Sequence, residues 1–310
     1  MSNEEDRCIG ALIGLAVGDA LGTTPEFKPP GTFEPLTDMV EGGPFRLQPG
    51  QWTDDTSMAL CLAESLIERG RHDPEDQMQR YLRWMKDGHL SSTGECFDIG
   101  ITTRNALLAF AKHGNPYAGP TDPYSAGNGS LMRLAPIPIR YRRDPDTAIE
   151  HAGDSSRTTH GAQSAIDACR YFAGLIVGAI HGRSKQELLA PAFHPTKGTW
   201  DASDLHDEIG EVASGSFLDR EPPAIIGSGF VVRSLEAALW AFSRTDDFRS
   251  GALLAVNLGN DADTTGAIYG QIAGAHYGLS GIPTAWVDKL AKKETLEALA
   301  RGLLSGCSTT

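Results

Sequence analysis

Two short clusters, Trp52-Thr53-Asp54-Asp55-Thr56 and Asn260-Asp261-Ala262-Asp263-Thr264-Thr265, lie far apart in the chain, each at the edge of an apolar, helix-like stretch. Between them they bring four carboxylates and several hydroxyls. Nearly all of these are hard oxygen donors, which suit Mg²⁺ or Mn²⁺ and suit zinc poorly. Carboxylates gathered at one place raise one another's pKa and destabilise the fold, and divalent cations offset that repulsion. Two such ions about 4 Å apart would clamp and polarise a substrate oxygen or a water. Asp54 and Asp55 are adjacent, and Asp261 and Asp263 are separated by one residue, so neither pair shares a face of a regular helix. Both spacings work where a loop turns into a helix, with Thr53 and Asn260 as caps. The competing reading is a pair of ordinary acidic helix starts favoured by the helix dipole. The density of Asp-Ala-Asp-Thr-Thr and the repetition of the pattern favour a metal centre.

Helical periodicity dominates the elements that must position these clusters. Ile9, Leu12, Ile13, Ala16, Val17, Ala20 and Leu21 follow the helical template, and similar stretches cover about 55–69, 74–86, 102–112, 161–181, 229–243, 248–257, 264–277 and 284–303. Alternating strand patterns are scarce, so the chain reads as all-α, one compact multi-helix domain over 1–304 with a disordered tail at 305–310. Glycine recurs every fourth residue at Gly10, Gly14, Gly18 and Gly22, and again at Gly266, Gly270, Gly274 and Gly278. A glycine inside a helix costs about 1 kcal/mol relative to alanine, so each ladder implies close helix–helix approach in the centre of the bundle. The loop Thr23–Gln51, with six prolines, and the loop Gly114–Asn128 lead into the motifs and read as functional. The segment 191–227 reads as a peripheral insertion.

The 310 residues carry 27 basic and 40 acidic side chains, a net charge of −13, with 40% hydrophobic and 22% charged residues. That balance is globular, and its sign disfavours nucleic acid as a general partner. Cys8, Cys61, Cys96, Cys169 and Cys307 show no zinc spacing. Cys8, Cys61 and Cys169 fall in apolar helical periodicity as small buried hydrophobes. Reduced thiols, a polar acidic start and no membrane-length apolar run predict a soluble, cytoplasmic protein.

Taken in order, several segments resemble the ADP-ribosylglycohydrolases, over nearly the whole chain and most closely the bacterial branch of dinitrogenase reductase-activating glycohydrolase. They are Gly14-Leu15-Ala16-Val17-Gly18-Asp19-Ala20-Leu21-Gly22, Pro25-Glu26-Phe27, Pro49-Gly50-Gln51 leading into the first acidic cluster, Gly127-Asn128-Gly129-Ser130-Leu131-Met132-Arg133, Thr159-His160, and Gly259 through Gly266. The resemblance implies an all-α fold with a binuclear Mg²⁺ or Mn²⁺ centre held by Thr53, Asp54, Asp55, Asp261, Asp263 and Thr264. Glu26 matches an acidic residue on a loop over the metals, making Thr23–Gln51 a lid. The implied reaction hydrolyses the bond at C1 of the distal ribose and frees ADP-ribose from a modified protein. Glu26 and Asp55 are the candidates for proton transfer.

The remaining contacts are expected as follows. Backbone amides of Gly127-Asn128-Gly129-Ser130 cradle the diphosphate as a nest or helix start does. His160, two residues past a cap at Thr158, touches phosphate or ribose. Phe230 stands where relatives carry an adenine-stacking tyrosine. Asp98 matches the acidic residue of the arginine-specific branch, which would pair with a guanidinium. Trp52 replaces a smaller residue and narrows the entrance. An ADP-ribosylarginine hydrolase is the leading expectation. The alternatives are serine-linked, nucleic-acid-linked or O-acetyl substrates, a binding protein that blocks a cognate ADP-ribosyltransferase, and a two-metal phosphohydrolase.

Overall fold

The computed structural model describes residues 1–201 and 203–305. Cys307 and nearly all of the tail expected to be disordered, residues 306–310, lie outside them.

Helices α1 (Asn3–Gly22) and α12 (Ala262–Tyr277) form the axis of the molecule. Between them in sequence come α2 (Asp54–Arg69), α3 (Pro74–Asp87), α4 (Ile101–His113), α5 (Pro136–Arg140), α6 (Pro145–Arg157) and α7 (Gln163–Ile180). The short α8 (Lys185–Leu188), α9 (Asp207–Ala213), α10 (Val231–Arg244) and α11 (Phe248–Val256) follow, and α13 (Thr284–Val287) and α14 (Lys293–Leu304) close the chain. One small hairpin pairs β1 (Phe193–His194) with β2 (Gly198–Thr199). The all-α expectation holds, and no described helix is long and apolar enough to cross a membrane.

The glycine ladders explain the axis. A Cβ on Gly10, Gly14 or Gly18 would collide with the carbonyl of Gly274, Gly270 or Gly266 respectively. The helices therefore run antiparallel with backbones in contact, which only residues without a Cβ permit. This register has a consequence for chemistry: the last ladder residue of α1, Gly22, abuts the backbone of Asp263 at the start of α12. Gly278 does not continue the second ladder inside the helix. It ends α12 with φ +76°, a conformation that favours glycine.

Other expectations need correction. The stretch 284–303 is two helices, because the chain turns at Lys292, with φ +46°, and Ala291 donates its N–H to the Gly50 carbonyl. Helix α6 escapes apolar periodicity because its sequence is mostly small and polar; its signal is the start Asp144-Pro145, with Asp144 accepting from the Thr147 amide. The described part of the segment 191–227 carries the hairpin and α9 and sends Ile209, Val212 and Phe217 into the core. Trp52 is fully buried in that core and does not line the entrance. Cys8, Cys61 and Cys169 are buried free thiols, as expected.

Candidate metal centre and cleft

Asp19, on the last turns of α1, organises the site, and the sequence motifs assigned it no role. Its Oδ1 accepts from the amide and hydroxyl of Thr53, both at 3.0 Å, and its Oδ2 accepts from the amide and hydroxyl of Thr56, at 3.0 and 2.6 Å. One buried carboxylate from α1 thus caps the amino end of α2. Thr53 is the N-cap by position, but its hydroxyl is spent on Asp19 rather than on its own helix. Its Oγ1 also lies 3.3 Å from Asp55 Oδ2 and 3.3 Å from Asp263 Oδ2, so the two acidic clusters meet at this hydroxyl. Thr264 Oγ1 approaches Asp55 Oδ2 at 3.4 Å.

The cap of α12 is Asp261, not Asn260. Asn260 adopts φ +54°, outside the usual N-cap conformation, and its backbone does different work. It donates to the Lys28 carbonyl at 2.8 Å and accepts from the Phe27 amide at 2.6 Å. That pairing fixes the segment carrying Glu26 against the start of α12. The rest of the Thr23–Gln51 loop is held by Asn257, which bonds the Leu36 backbone in both directions, and by Asp38, which accepts from Trp286 Nε1.

Glu26, Asp98 and Asp263 converge, each offering an oxygen within 4.8 Å of the others. Asp98 comes from the loop before α4 with φ +60°. Together with Asp54, Asp261, Thr264, Asn128, Gly129 and His160 these residues line a cleft of about 650 Å³. Burial, then the neighbouring Asp98, Asp261 and Asp55, push Glu26 up to about 10. Burial and the charges of Asp19 and Asp261 push Asp98 up to about 7, and burial and neighbouring carboxylates raise Asp54, Asp55 and Asp263. Asp19 rises less, to about 6, because its hydrogen bonds from Thr56 and Thr53 oppose burial.

These carboxylates fit divalent cations on a second count. Glu26 Oε2, Asp55 Oδ1 and Asp263 Oδ1 are buried with no hydrogen-bond partner among the described residues. An unpaired buried carboxylate is costly, and a cation with hard-oxygen preference satisfies it. The amino ends of α2 and α12 also point their dipoles here, each offsetting part of the charge.

The other expected residues divide into those facing the cleft and those behind it. Asn128 faces it, but its Nδ2 is committed to Asp261 Oδ2 at 2.8 Å and to Ser234 Oγ at 2.9 Å. The side chain of Ser130 lies behind the loop, bonded to Ser156 Oγ at 2.8 Å. The Gly129 and Ser130 amides donate to no acceptor among the described residues. His160 packs under this turn: a Cβ on Gly129 would sit 2.7 Å from its Cε1. Burial depresses His160 to about 3, so its ring is neutral. Thr158 is a cap, at the carboxyl end of α6. Phe230 pairs its backbone with Gly127, while its side chain is not among those lining the cleft. Aromatic faces at the mouth come from Phe27 and Phe45, whose ring centres are 6.4 Å apart. Behind the turn, the fully buried Arg133 donates to the Gly129 carbonyl at 3.0 Å and to Thr159 Oγ1 at 2.7 Å, with its guanidinium over Tyr81.

The family model for ADP-ribosylglycohydrolase matches residues 1–310. The chain is 44% identical over 302 residues to ADP-ribosylarginine hydrolase Tri1 of Serratia proteamaculans, covering 97% of this chain and 80% of that one. It is 33% identical over 295 residues to the ADP-ribosyl-[dinitrogen reductase] glycohydrolase of Rhodospirillum rubrum, covering 93% and 91%. A solved structure titled ADP-ribosylglycohydrolase-related protein complex superposes with a TM-score of 0.86 at 48% identity, covering 99% of each chain. With the family model matching the whole chain and relatives above 30% identity matched over most of their own length, the chain belongs to the ADP-ribosylglycohydrolase family.

Proposed function

We propose that this protein is a metal-dependent hydrolase that frees ADP-ribose from mono-ADP-ribosylated protein by cleaving the N-glycosidic bond to arginine. The observation that carries the reading is the convergence of Glu26, Asp98 and Asp263 from three separate segments at one cleft. The names of the relatives support the arginine linkage. Thr53, Asp54, Asp55, Asp261, Asp263 and Thr264 would hold two Mg²⁺ or Mn²⁺ ions, with Glu26 beside them. Bound there, the cations would polarise ribose hydroxyls and acidify a water.

The protein groups then have separable tasks. Glu26 or Asp55 accepts the proton of the attacking water. The C1–N bond breaks, the water oxygen bonds to C1, and the guanidino nitrogen leaves with a proton, so that atoms balance. Positive charge developing on the sugar ring is stabilised by the surrounding carboxylates. Asn128, through its Nδ2, orients Asp261. The Gly129 and Ser130 amides supply donors for the diphosphate, with Arg133 holding the turn and neutral His160 supporting it. The aromatic faces of Phe27 and Phe45 suit the adenine better than Phe230 does. Asp98 pairs with the leaving guanidinium while sharing the metal-side cluster. The substrate is the product of an ADP-ribosyltransferase, which such a hydrolase opposes.

Linkage is tested with arginine-linked and serine-linked ADP-ribosyl substrates and the Asp98→Asn variant. The reading expects release from arginine and a drop of about tenfold or more for that linkage in the variant. Release from serine alone would contradict the assignment of the leaving group, and AMP as product would contradict glycoside cleavage.

A further inference from the structure

Away from the cleft, the structure draws two histidines and a carboxylate together where α6 passes the turn between α2 and α3. His72 comes from that turn, while His151 and Asp154 lie on one face of α6. Each offers a ligand atom within 4.8 Å of the other two. The imidazole centres are 5.0 Å apart, and Tyr141 packs edge-on to His151 at 4.7 Å.

Lone pairs are available on both rings. Burial and the neighbouring His151 depress His72 to about 4, and burial depresses His151, so both stay neutral. His72 Nε2 lies 3.1 Å from Gln77 Oε1. The orientation of that amide is set by its other end, which donates to Tyr81 Oη at 3.0 Å and Ser155 Oγ at 2.9 Å. Gln77 therefore accepts, His72 carries its proton on Nε2, and Nδ1 keeps the lone pair. A hydrogen-bond partner on one ring nitrogen fixes the tautomer of a metal-ligating imidazole and leaves the other nitrogen to coordinate. His151 Nδ1 is buried with no partner among the described residues. Asp154 pairs with Arg157 at 3.2 Å, an exposed i,i+3 contact that a metal ion would readily outcompete.

We propose that His72, His151 and Asp154 form a second metal site, separate from the oxygen-rich centre and selective for a zinc-type ion. Two imidazole nitrogens and one carboxylate suit zinc or cobalt, whereas the cleft's all-oxygen set suits Mg²⁺ or Mn²⁺. With water as a fourth ligand the site is tetrahedral, and it braces the α2–α3 turn against α6. The site rests on these three residues and not on the reading of the catalytic cleft.

The full chain is titrated with Zn²⁺ by calorimetry in saturating Mg²⁺, and with Co²⁺ by visible absorption. Wild type is expected to take one zinc more than His151→Gln or His72→Gln, and to show tetrahedral cobalt bands that both variants lack. Zinc should raise the melting temperature of wild type and of Asp54→Asn, but not of the histidine variants. Should a histidine variant melt early without metal, Asp154→Asn, at a partly exposed position, replaces it. Equal zinc stoichiometry in wild type and these variants would overturn the proposal, as would loss of the extra zinc in Asp54→Asn.

Discussion

Glu26 sits where burial and four neighbouring carboxylates, Asp98 foremost, push its pKa up to about 10, so it becomes a base only where positive charge compensates its neighbours. Glu26→Gln keeps its shape and removes its charge. Single-turnover hydrolysis should fall about 100-fold or more, while ADP-ribose binding measured by calorimetry changes only a few-fold. His160 makes a prediction of the opposite electrostatic kind. Its pKa is lowered to about 3 in the fold and is near 6.5 when unfolded, so below 6.5 the unfolded chain takes up the proton first. Stability from this group is complete above pH 6.5 and drains away as pH falls. Between pH 7 and pH 5, urea unfolding should show wild type losing about 2 kcal/mol more than His160→Gln. At this scale the sequence showed Asp54, Asp55, Asp261 and Asp263, because they are dense and repeated. Asp19 and Arg133 lie within the motifs, yet nothing in the sequence marks their work. A single charge in an apolar helix acquires meaning only when its hydrogen-bond partners are known.

Among the elements, the antiparallel contact of α1 and α12 controls the site, since its register sets Gly22 against Asp263 and places Asp19 under the start of α2. A methyl group on Gly18 would meet the Gly266 backbone and force the helices apart. Gly18→Ala should cost about 3 kcal/mol or more in denaturant unfolding and weaken divalent-cation binding as well. Gly210→Ala is the control, because a Cβ there meets nothing. It sits inside α9, and it should stabilise by about 0.5–1 kcal/mol. The ladders announced close packing through their spacing, but not that they pack on each other, since that pairing is a tertiary fact. Apolar stripes exposed the long helices, while α6 stayed hidden behind Asp, Ser, Gly and Ala. The break between α13 and α14 was hidden for a related reason: it answers to Gly50, far away in sequence.

For the molecule as a whole, buried carboxylates without partners mean that cation binding and folding are linked. A cation at about a hundred times its Kd adds roughly 3 kcal/mol per site to stability, so Mg²⁺ should raise the melting temperature and a chelator should lower it. Asp55→Asn, which removes one of the orphaned oxygens, should blunt that rise. The class of the fold and the identity of the acidic clusters were legible in sequence because helical periodicity and motif density are local signals. The cleft's residues Glu26, Asp98, Asn128 and His160 were legible only through the ordered family segments, because no local pattern shows that the packed bundle brings them to the start of α12. This acidic cleft is expected to hydrolyse an ADP-ribosyl bond with the help of divalent cations. The most direct test is release of intact ADP-ribose from an arginine-modified protein, measured with Mg²⁺ or Mn²⁺, with chelator, and in the Asp54→Asn and Asp263→Asn variants. Release that needs the cation and fails in both variants is the predicted result; equal release with chelator present, or in either variant, would contradict it.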